Sequence, residues 1–121
     1  MTRAVETVLR GERRAAIVSV SFVGRDRMRA LNARWKRRDE PTDVLAFALT
    51  DPRGALAGDI YISPWVAARE ARARGIPLRQ ELHRLVVHGV LHILGYDHPA
   101  GGERTASPMW RRQERYLRGT R

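Results

Sequence analysis

The chain has 121 residues, which fits one compact domain, so we predict a single domain spanning residues 1–121. It contains no cysteine, which excludes disulfides, thiolate metal sites and a cysteine nucleophile. Its net charge of +10 favours a polyanionic partner, most simply nucleic acid.

Taken in chain order, the patterns predict alternating helices and strands. Residues 15–23 are β-branched and aromatic, which is typical of a strand. Met28, Leu31 and Trp35 recur at helical spacing, and the charged stretch after them is predicted to be a loop ended by Pro41. In this first half, helices are therefore predicted over 4–10 and 26–36, and strands over 15–23, 43–49 and 58–63.

The second half is predicted to be helical. Ser63 and Pro64 are favourable residues for the start of a helix, which runs to about residue 74. Residues 78–94 have apolar side chains in nearly every direction around a helix axis, which is typical of a buried helix. Gly95 ends that helix because glycine accepts the left-handed conformation of many helix exits. A loop over 99–106 and a last helix over 108–117 follow.

These elements predict an α+β fold, in which a small mixed β-sheet packs with helices around a buried central helix. Trp35 and Trp65 are interpreted mainly as core residues, and Asp59 as a turn residue rather than a catalyst. No apolar run approaches the roughly 18 residues of a membrane span. We therefore expect a soluble, cytoplasmic protein without a membrane partner.

Three of the four histidines lie in one motif that begins on the central helix, HGxLHxxGxDH, from His88 to His98. His88 and His92 are four residues apart, so both side chains project from one face of the helix. After Gly95 the chain can turn back and bring in His98 as a third ligand. Three neutral imidazoles favour zinc and leave a fourth position for water, whose pKa such a site lowers toward about 7. The sequence therefore predicts one Zn²⁺ ion per chain, held by these three histidines.

The spacing of these histidines equals that of the metzincin peptidase signature H-E-x-x-H-x-x-G-x-x-H, with one difference. The glutamate that serves those peptidases as general base is replaced by Gly89. A peptidase mechanism is therefore disfavoured, and the proton acceptor is left open between the metal-bound hydroxide, a substrate phosphate and a carboxylate such as Asp97. Asp97 is interpreted equally well as a second partner of a ligand imidazole and as a turn residue. His83 is assigned a surface or packing role.

At these residues the chain resembles the YbeY family of bacterial endoribonucleases, which are rRNA maturation factors. The resemblance covers roughly residues 15–118 and is carried by the histidine motif together with four shorter matches. These are Leu31-Asn32 with Trp35 and Lys36, Pro41 to Phe47, Gly58 to Ser63, and Met109 with Glu114.

The resemblance implies a zinc-dependent, single-strand-specific endoribonuclease that matures the 3′ end of 16S rRNA and acts in ribosome quality control. It implies ribosomal RNA, and with it the small ribosomal subunit, as partner. It also implies metal ligation by His88, His92 and His98, and a catalytic phosphate contact by Lys36. The family usually has arginine at that last position, and arginine grips a phosphate bidentately where lysine offers a point charge. Arg37 or Arg38 can substitute for it.

Two other functions are kept open from the sequence. One is a ribosome-assembly or RNA-binding factor in which the metal is structural, which would require a fourth protein ligand. The other is a metal-dependent hydrolase of another class, such as a peptidase or amidase. The basic charge alone does not decide, because a GC-rich coding sequence also produces many arginines, and Lys36 is the only lysine.

Overall fold

The computed structural model describes residues 2–36, 44–50, 56–96 and 108–120. Within these ranges the chain forms helices and strands in the order predicted from sequence. Their bounds are α1 (Thr2–Glu12), β1 (Ile17–Phe22), α2 (Arg25–Lys36), β2 (Val44–Thr50), β3 (Leu56–Ile62), α3 (Pro64–Arg74), α4 (Leu78–Ile93) and α5 (Pro108–Thr120). The predicted α+β class is confirmed, with boundaries shifted by one to three residues.

The three strands form one mixed sheet in the order β1-β3-β2. β1 runs parallel to β3, with Ile17 opposite Ala57, whereas β2 runs antiparallel to β3, with Val44 opposite Ile62. The central strand β3 is buried at every second residue, namely Gly58, Ile60 and Ile62. Because side chains alternate between the faces of a strand, one face of β3 is covered by the helices.

Helix α4 covers that face, and its buried side chains form the centre of the hydrophobic core. Helices α1, α3 and α5 pack around α4, so α4 is apolar on several sides, as its sequence predicts. Burying a valine or leucine side chain stabilises the fold by about 1.5–3 kcal/mol. The fully or almost fully buried apolar residues of α4 are Leu85, Val86, Val87, Val90, Leu91 and Ile93.

Two glycines set the close approach of α4 to β3. A Cβ atom added at Gly89 of α4 would lie 2.8 Å from Cδ1 of the buried Ile60, and one at Gly58 of β3 would overlap the side chain of Ile93. The contact is reciprocal, because each element supplies one glycine and one isoleucine. Gly89 and Ile93 are one helical turn apart, so this pair defines the face of α4 that lies on the sheet.

Three helices end in the same hydrogen-bond pattern, the Schellman motif. Its left-handed residue is Gly75 after α3 (φ 68°) and Gly95 after α4 (φ 107°), as the sequence predicts. After α1 the same position is occupied by Arg13 (φ 55°), whose N–H donates to the Arg10 carbonyl while Arg14 N–H donates to that of Leu9. A left-handed conformation costs a residue with a Cβ roughly 1–2 kcal/mol, so glycine would be favoured there.

Two smaller predictions are wrong. Trp65 is 46% exposed, with the guanidinium groups of Arg25 and Arg69 placed 4.7 and 5.1 Å from its ring centroid. Cation–π contacts with the two arginines therefore replace the expected core packing. Asp59 lies inside β3 rather than in a turn, because the strand begins two residues earlier than Gly58. No helix in the described part of the chain is long and apolar enough to cross a membrane.

We expect Gly58→Ala to lower the free energy of unfolding by about 1–3 kcal/mol, because the added methyl group overpacks the contact with Ile93. The measurement is urea unfolding followed by circular dichroism. Gly24→Ser is the matched control, since a Cβ at Gly24 meets no atom within 4 Å and serine suits the start of a helix. An unchanged urea midpoint for Gly58→Ala would contradict the glycine contact.

Candidate functional site

His88 and His92 lie one turn apart on α4 and line the same cavity. The cavity has a volume of about 130 Å³, and its remaining lining residues are the first three of β2, Val44, Leu45 and Ala46. Both histidines are half-buried. The two side chains therefore lie on one face of the helix, as predicted.

The glycine contact with the sheet explains why the two imidazoles reach this cavity. His88 and His92 each precede a residue that packs on β3, namely Gly89 and Ile93. Successive helix residues are rotated by about 100°, so the histidines face sideways from the sheet contact. On that side they meet the beginning of β2.

His88 is held by a side chain from the C-terminal helix. Its Nδ1 lies 2.9 Å from Oε1 of Gln113 in α5, and Gln113 is 1% exposed. An amide oxygen can only accept a hydrogen bond, so Nδ1 carries the proton and donates it. The lone pair of the neutral ring is then on Nε2. In metal-binding histidines with this tautomer, Nε2 is the nitrogen that binds the metal.

A second hydrogen-bonded cluster, centred on Glu12 at the end of α1, joins two helices and the segment that follows α4. Glu12 accepts hydrogen bonds from the Tyr96 hydroxyl (2.7 Å), from Arg112 Nη1 (2.9 Å) and from the Tyr116 hydroxyl. The Arg112 guanidinium also lies 5.7 Å from the centroid of the Tyr96 ring. We call these four residues the Glu12 cluster. It connects α1 and α5 to the segment that follows α4.

The Glu12 cluster shifts the pKa values of its members. Burial acts to raise the pKa of Glu12, but the hydrogen bonds from Tyr116, Tyr96 and Arg112 outweigh it and hold that pKa below its usual value. Burial and the neighbouring carboxylate raise the pKa of Tyr116 to about 12. The hydrogen bond to Glu12 likewise raises the pKa of Tyr96. The cluster therefore contains an ionised carboxylate and two neutral tyrosines at neutral pH.

Gly89, where metzincin peptidases have a glutamate, is fully enclosed in the contact with β3. An added Cβ would already press on Ile60, so a longer acidic side chain has no room. It would also bring an unpaired carboxylate into an apolar interface. The packing of α4 thus explains the glycine that the sequence shows between the two histidines.

Several predicted site residues lie outside the described residues, so the approach of His98 to His88 and His92 stays a prediction. Within the described ranges, no group of three His, Cys, Asp or Glu side chains able to hold a metal is found. Lys36 is the last residue of α2, and its side chain is not among those described. His83 is on α4, where burial and the positive charge of Arg79 lower its pKa. Outside the described residues are Arg37, Arg38, Asp97 and His98, and the side chain of Met109.

Sequence reasoning missed Gln113 and the Glu12 cluster. One signal was available for Gln113, which shares a helical stripe with Tyr116 and Leu117 at i+3 and i+4. A glutamine on such a buried stripe needs a hydrogen-bond partner. Nothing in the sequence pairs Glu12 with Tyr96, because the two residues are 84 positions apart.

The chain is similar in sequence to a well-defined family. The family model described as Endoribonuclease YbeY matches residues 1–121. The chain is 45% identical over 109 residues to the Endoribonuclease YbeY of Anaeromyxobacter sp. (strain Fw109-5), covering 87% of this chain and 57% of the relative. It is 43% identical over 88 residues to that of Aquifex aeolicus, covering 71% and 59%. The chain thus spans a little over half the length of these curated relatives.

The fold is also similar to a solved structure, the solution structure of TM1509 from Thermotoga maritima. The TM-score is 0.65 at 33% sequence identity, and the match covers 96% of this chain and 75% of that one. This agreement supports the α+β arrangement of five helices and a three-stranded mixed sheet.

Glu12→Gln is expected to lower the free energy of unfolding by about 1–3 kcal/mol at pH 7, because three hydrogen bonds lose their charged acceptor. The pKa of Glu12 is lowered by folding from 4.5, so its stabilisation is present above that pH and is lost as the pH falls through the folded value. The difference between wild type and variant should therefore shrink on acidification. Urea unfolding between pH 7 and pH 3 measures the free energy of unfolding of both proteins, and Glu6→Gln, at an exposed position, is the control. If the difference between wild type and Glu12→Gln does not change with pH, the ionised state of Glu12 in the cluster is contradicted.

Proposed function

This chain belongs to the Endoribonuclease YbeY family, and from that premise we propose that it is a zinc-dependent, single-strand-specific endoribonuclease acting in rRNA maturation. The observation that carries the proposal is the pair His88 and His92 on one cavity, with Gln113 hydrogen-bonded to Nδ1 of His88. Histidines that bind metals ordinarily have such a partner on the second ring nitrogen.

The proposed ligands are His88, His92 and His98, which would hold one zinc ion. The donor set fits this metal, since neutral imidazoles bind zinc well and the tautomer of His88 leaves the Nε2 lone pair for it. When bound, zinc supplies Lewis-acid chemistry, which neutralises charge on phosphate oxygens and acidifies water.

The residues of the chain itself favour phosphodiester over peptide chemistry. Gln113 keeps the proton on Nδ1 of His88 and fixes the plane of the ring. The packing at Gly89 leaves no place for the acidic general base of the related peptidases. Lys36, followed by Arg37 and Arg38, is proposed to neutralise the substrate phosphate. The net charge of +10 suits an RNA substrate.

The proposed substrate is a single-stranded region of ribosomal RNA, with the 3′ end of 16S rRNA on the small ribosomal subunit as the family role. The proposed location is the cytoplasm, where this substrate is made. The similarity to relatives named Endoribonuclease YbeY supports RNA cleavage.

We expect the purified protein to contain close to one zinc ion per chain and to cleave single-stranded RNA. His88→Ala, His92→Ala and His98→Ala should each lose the metal and reduce cleavage by about 1,000-fold or more, as should chelation. Elemental analysis and gel-based cleavage assays measure both, and His83→Ala is the matched histidine control. A cyclic phosphate on the product would identify the ribose 2′-hydroxyl as nucleophile. If the wild-type protein contains the metal and binds RNA but does not cleave it, the result would instead support an assembly factor with a structural metal.

Gln113→Met is expected to weaken zinc affinity by about 10–100-fold, because it removes the acceptor of the His88 proton but keeps the side-chain volume. Competition with a chromogenic chelator measures the affinity independently of RNA cleavage. Gln80→Met, at a partly buried position in the first turn of the same helix as His88, is the control. Equal zinc affinity for wild type and Gln113→Met would show that Gln113 does not act on the metal ligand.

A further inference from the structure

A second, larger cavity lies between the ends of α1 and α4 and is separate from the one lined by the histidines. It is an open cleft of about 450 Å³. Its charged and hydrogen-bonding lining residues are Glu12, Arg13, Arg14, Tyr96 and Arg112. We call it the α1–α4 cleft. Three arginines and one glutamate thus line a single concave surface.

The Glu12 carboxylate of this cleft is already hydrogen-bonded within the protein. Glu12 accepts hydrogen bonds from Tyr96, Tyr116 and Arg112, so its negative charge is directed to those donors. Arg13 and Arg14 are exposed, and within the described residues neither forms an ion pair with a carboxylate. By contrast, Arg74 and Arg84 are both paired with the buried Glu81. The rim of the cleft therefore has an excess of positive charge that no described acidic group neutralises.

Arg13 has a left-handed backbone conformation, which is unfavourable for a residue with a Cβ. The helices α3 and α4 end in the same motif with glycine in the left-handed position, whereas α1 has Arg13 there. Glycine would meet the conformational requirement of this turn without strain. Backbone strain of this kind is retained mainly where the side chain serves a purpose. Because Arg13 lines the cleft, we infer that the strained position is kept for its guanidinium group at the rim of the cleft.

The cleft is joined to the candidate metal site through the backbone. Its wall at Gly95 and Tyr96 follows α4 directly, and Gly95 N–H donates to the carbonyl of His92 over 3.0 Å. Tyr96 precedes His98 by two residues in the sequence. The cleft therefore adjoins the end of α4 that carries His92.

We propose that the α1–α4 cleft is a phosphate subsite for single-stranded RNA, in which Arg13 and Arg14 contact backbone phosphates flanking the bond at the histidine site. The proposal rests on the proposed ribonuclease function and adds to it a binding surface formed by residues other than Lys36, Arg37 and Arg38. The contacts are electrostatic and independent of base sequence, because they involve only the phosphates.

Arg13→Gly gives a test with two opposed results. The substitution relieves the left-handed strain, so the melting temperature should rise by about 3 °C. It also removes one phosphate contact, so the dissociation constant for a 12-nucleotide single-stranded RNA should rise about fivefold at 0.1 M salt. Fluorescence anisotropy of labelled RNA measures binding with every protein compared carrying His88→Ala, which is expected to prevent cleavage, and a gel confirms that the RNA stays intact. A lower melting temperature would overturn the strain argument.

The double variant Arg13→Gly with Arg14→Ala should weaken RNA binding about 25-fold and reduce the slope of log Kd against log salt by about 1.4. The control is Arg72→Ala with Arg79→Ala, which removes the same charge from exposed positions away from the cleft. Equal weakening in both double variants would reduce the effect to net charge and overturn the subsite. If the wild type cleaves RNA and the double variant of the cleft binds RNA as tightly as the wild type does, only the phosphate subsite is overturned. If the wild type does not cleave RNA, the proposed function is overturned.

Discussion

The contact between α4 and β3 fixes the position of the two histidines that line one cavity. Gly89 accommodates Ile60 and Gly58 accommodates Ile93, so helix and strand approach more closely than residues with a Cβ would permit. This contact sets the rotation of α4 about its axis. The residues one position earlier, His88 and His92, consequently face the beginning of β2 and share a cavity with it. A small rotation of the helix would separate the two imidazoles from that cavity.

Helix α5 has a different role, because it acts on the region of α4 that carries the histidines. Gln113 holds the His88 ring, while Arg112 and Tyr116 bind Glu12, which in turn binds Tyr96 just after α4. One helix thus contacts the candidate metal motif directly at His88 and, through Glu12, at Tyr96. Networks of this kind are effective only when each buried polar group has a partner, and the cluster meets that condition for the Glu12 carboxylate.

The arginines of this chain perform distinct tasks that its net charge does not reveal. Arg74 and Arg84 neutralise the buried Glu81, Arg25 and Arg69 cover the exposed Trp65, and Arg112 completes the Glu12 cluster. Among the other arginines, Arg13 and Arg14 at the end of α1 lie beside a cleft. The value of +10 becomes informative about RNA only when the paired arginines are distinguished from those that face solvent.

The sequence by itself determined the α+β class, the order of the elements, the glycine ends of α3 and α4 and the pairing of His88 with His92, because these follow from local periodicity and from the conformational range of glycine. Trp65 and Asp59 were interpreted wrongly, since an exposed ring covered by two arginines and the true start of β3 depend on neighbours distant in the chain. Only the tertiary structure decided that Gln113 partners His88, that Glu12 collects donors from two other regions, and that Arg13 faces a cleft. These contacts join positions 25 to more than 100 residues apart, and no local pattern encodes which of several polar side chains will meet when the helices pack.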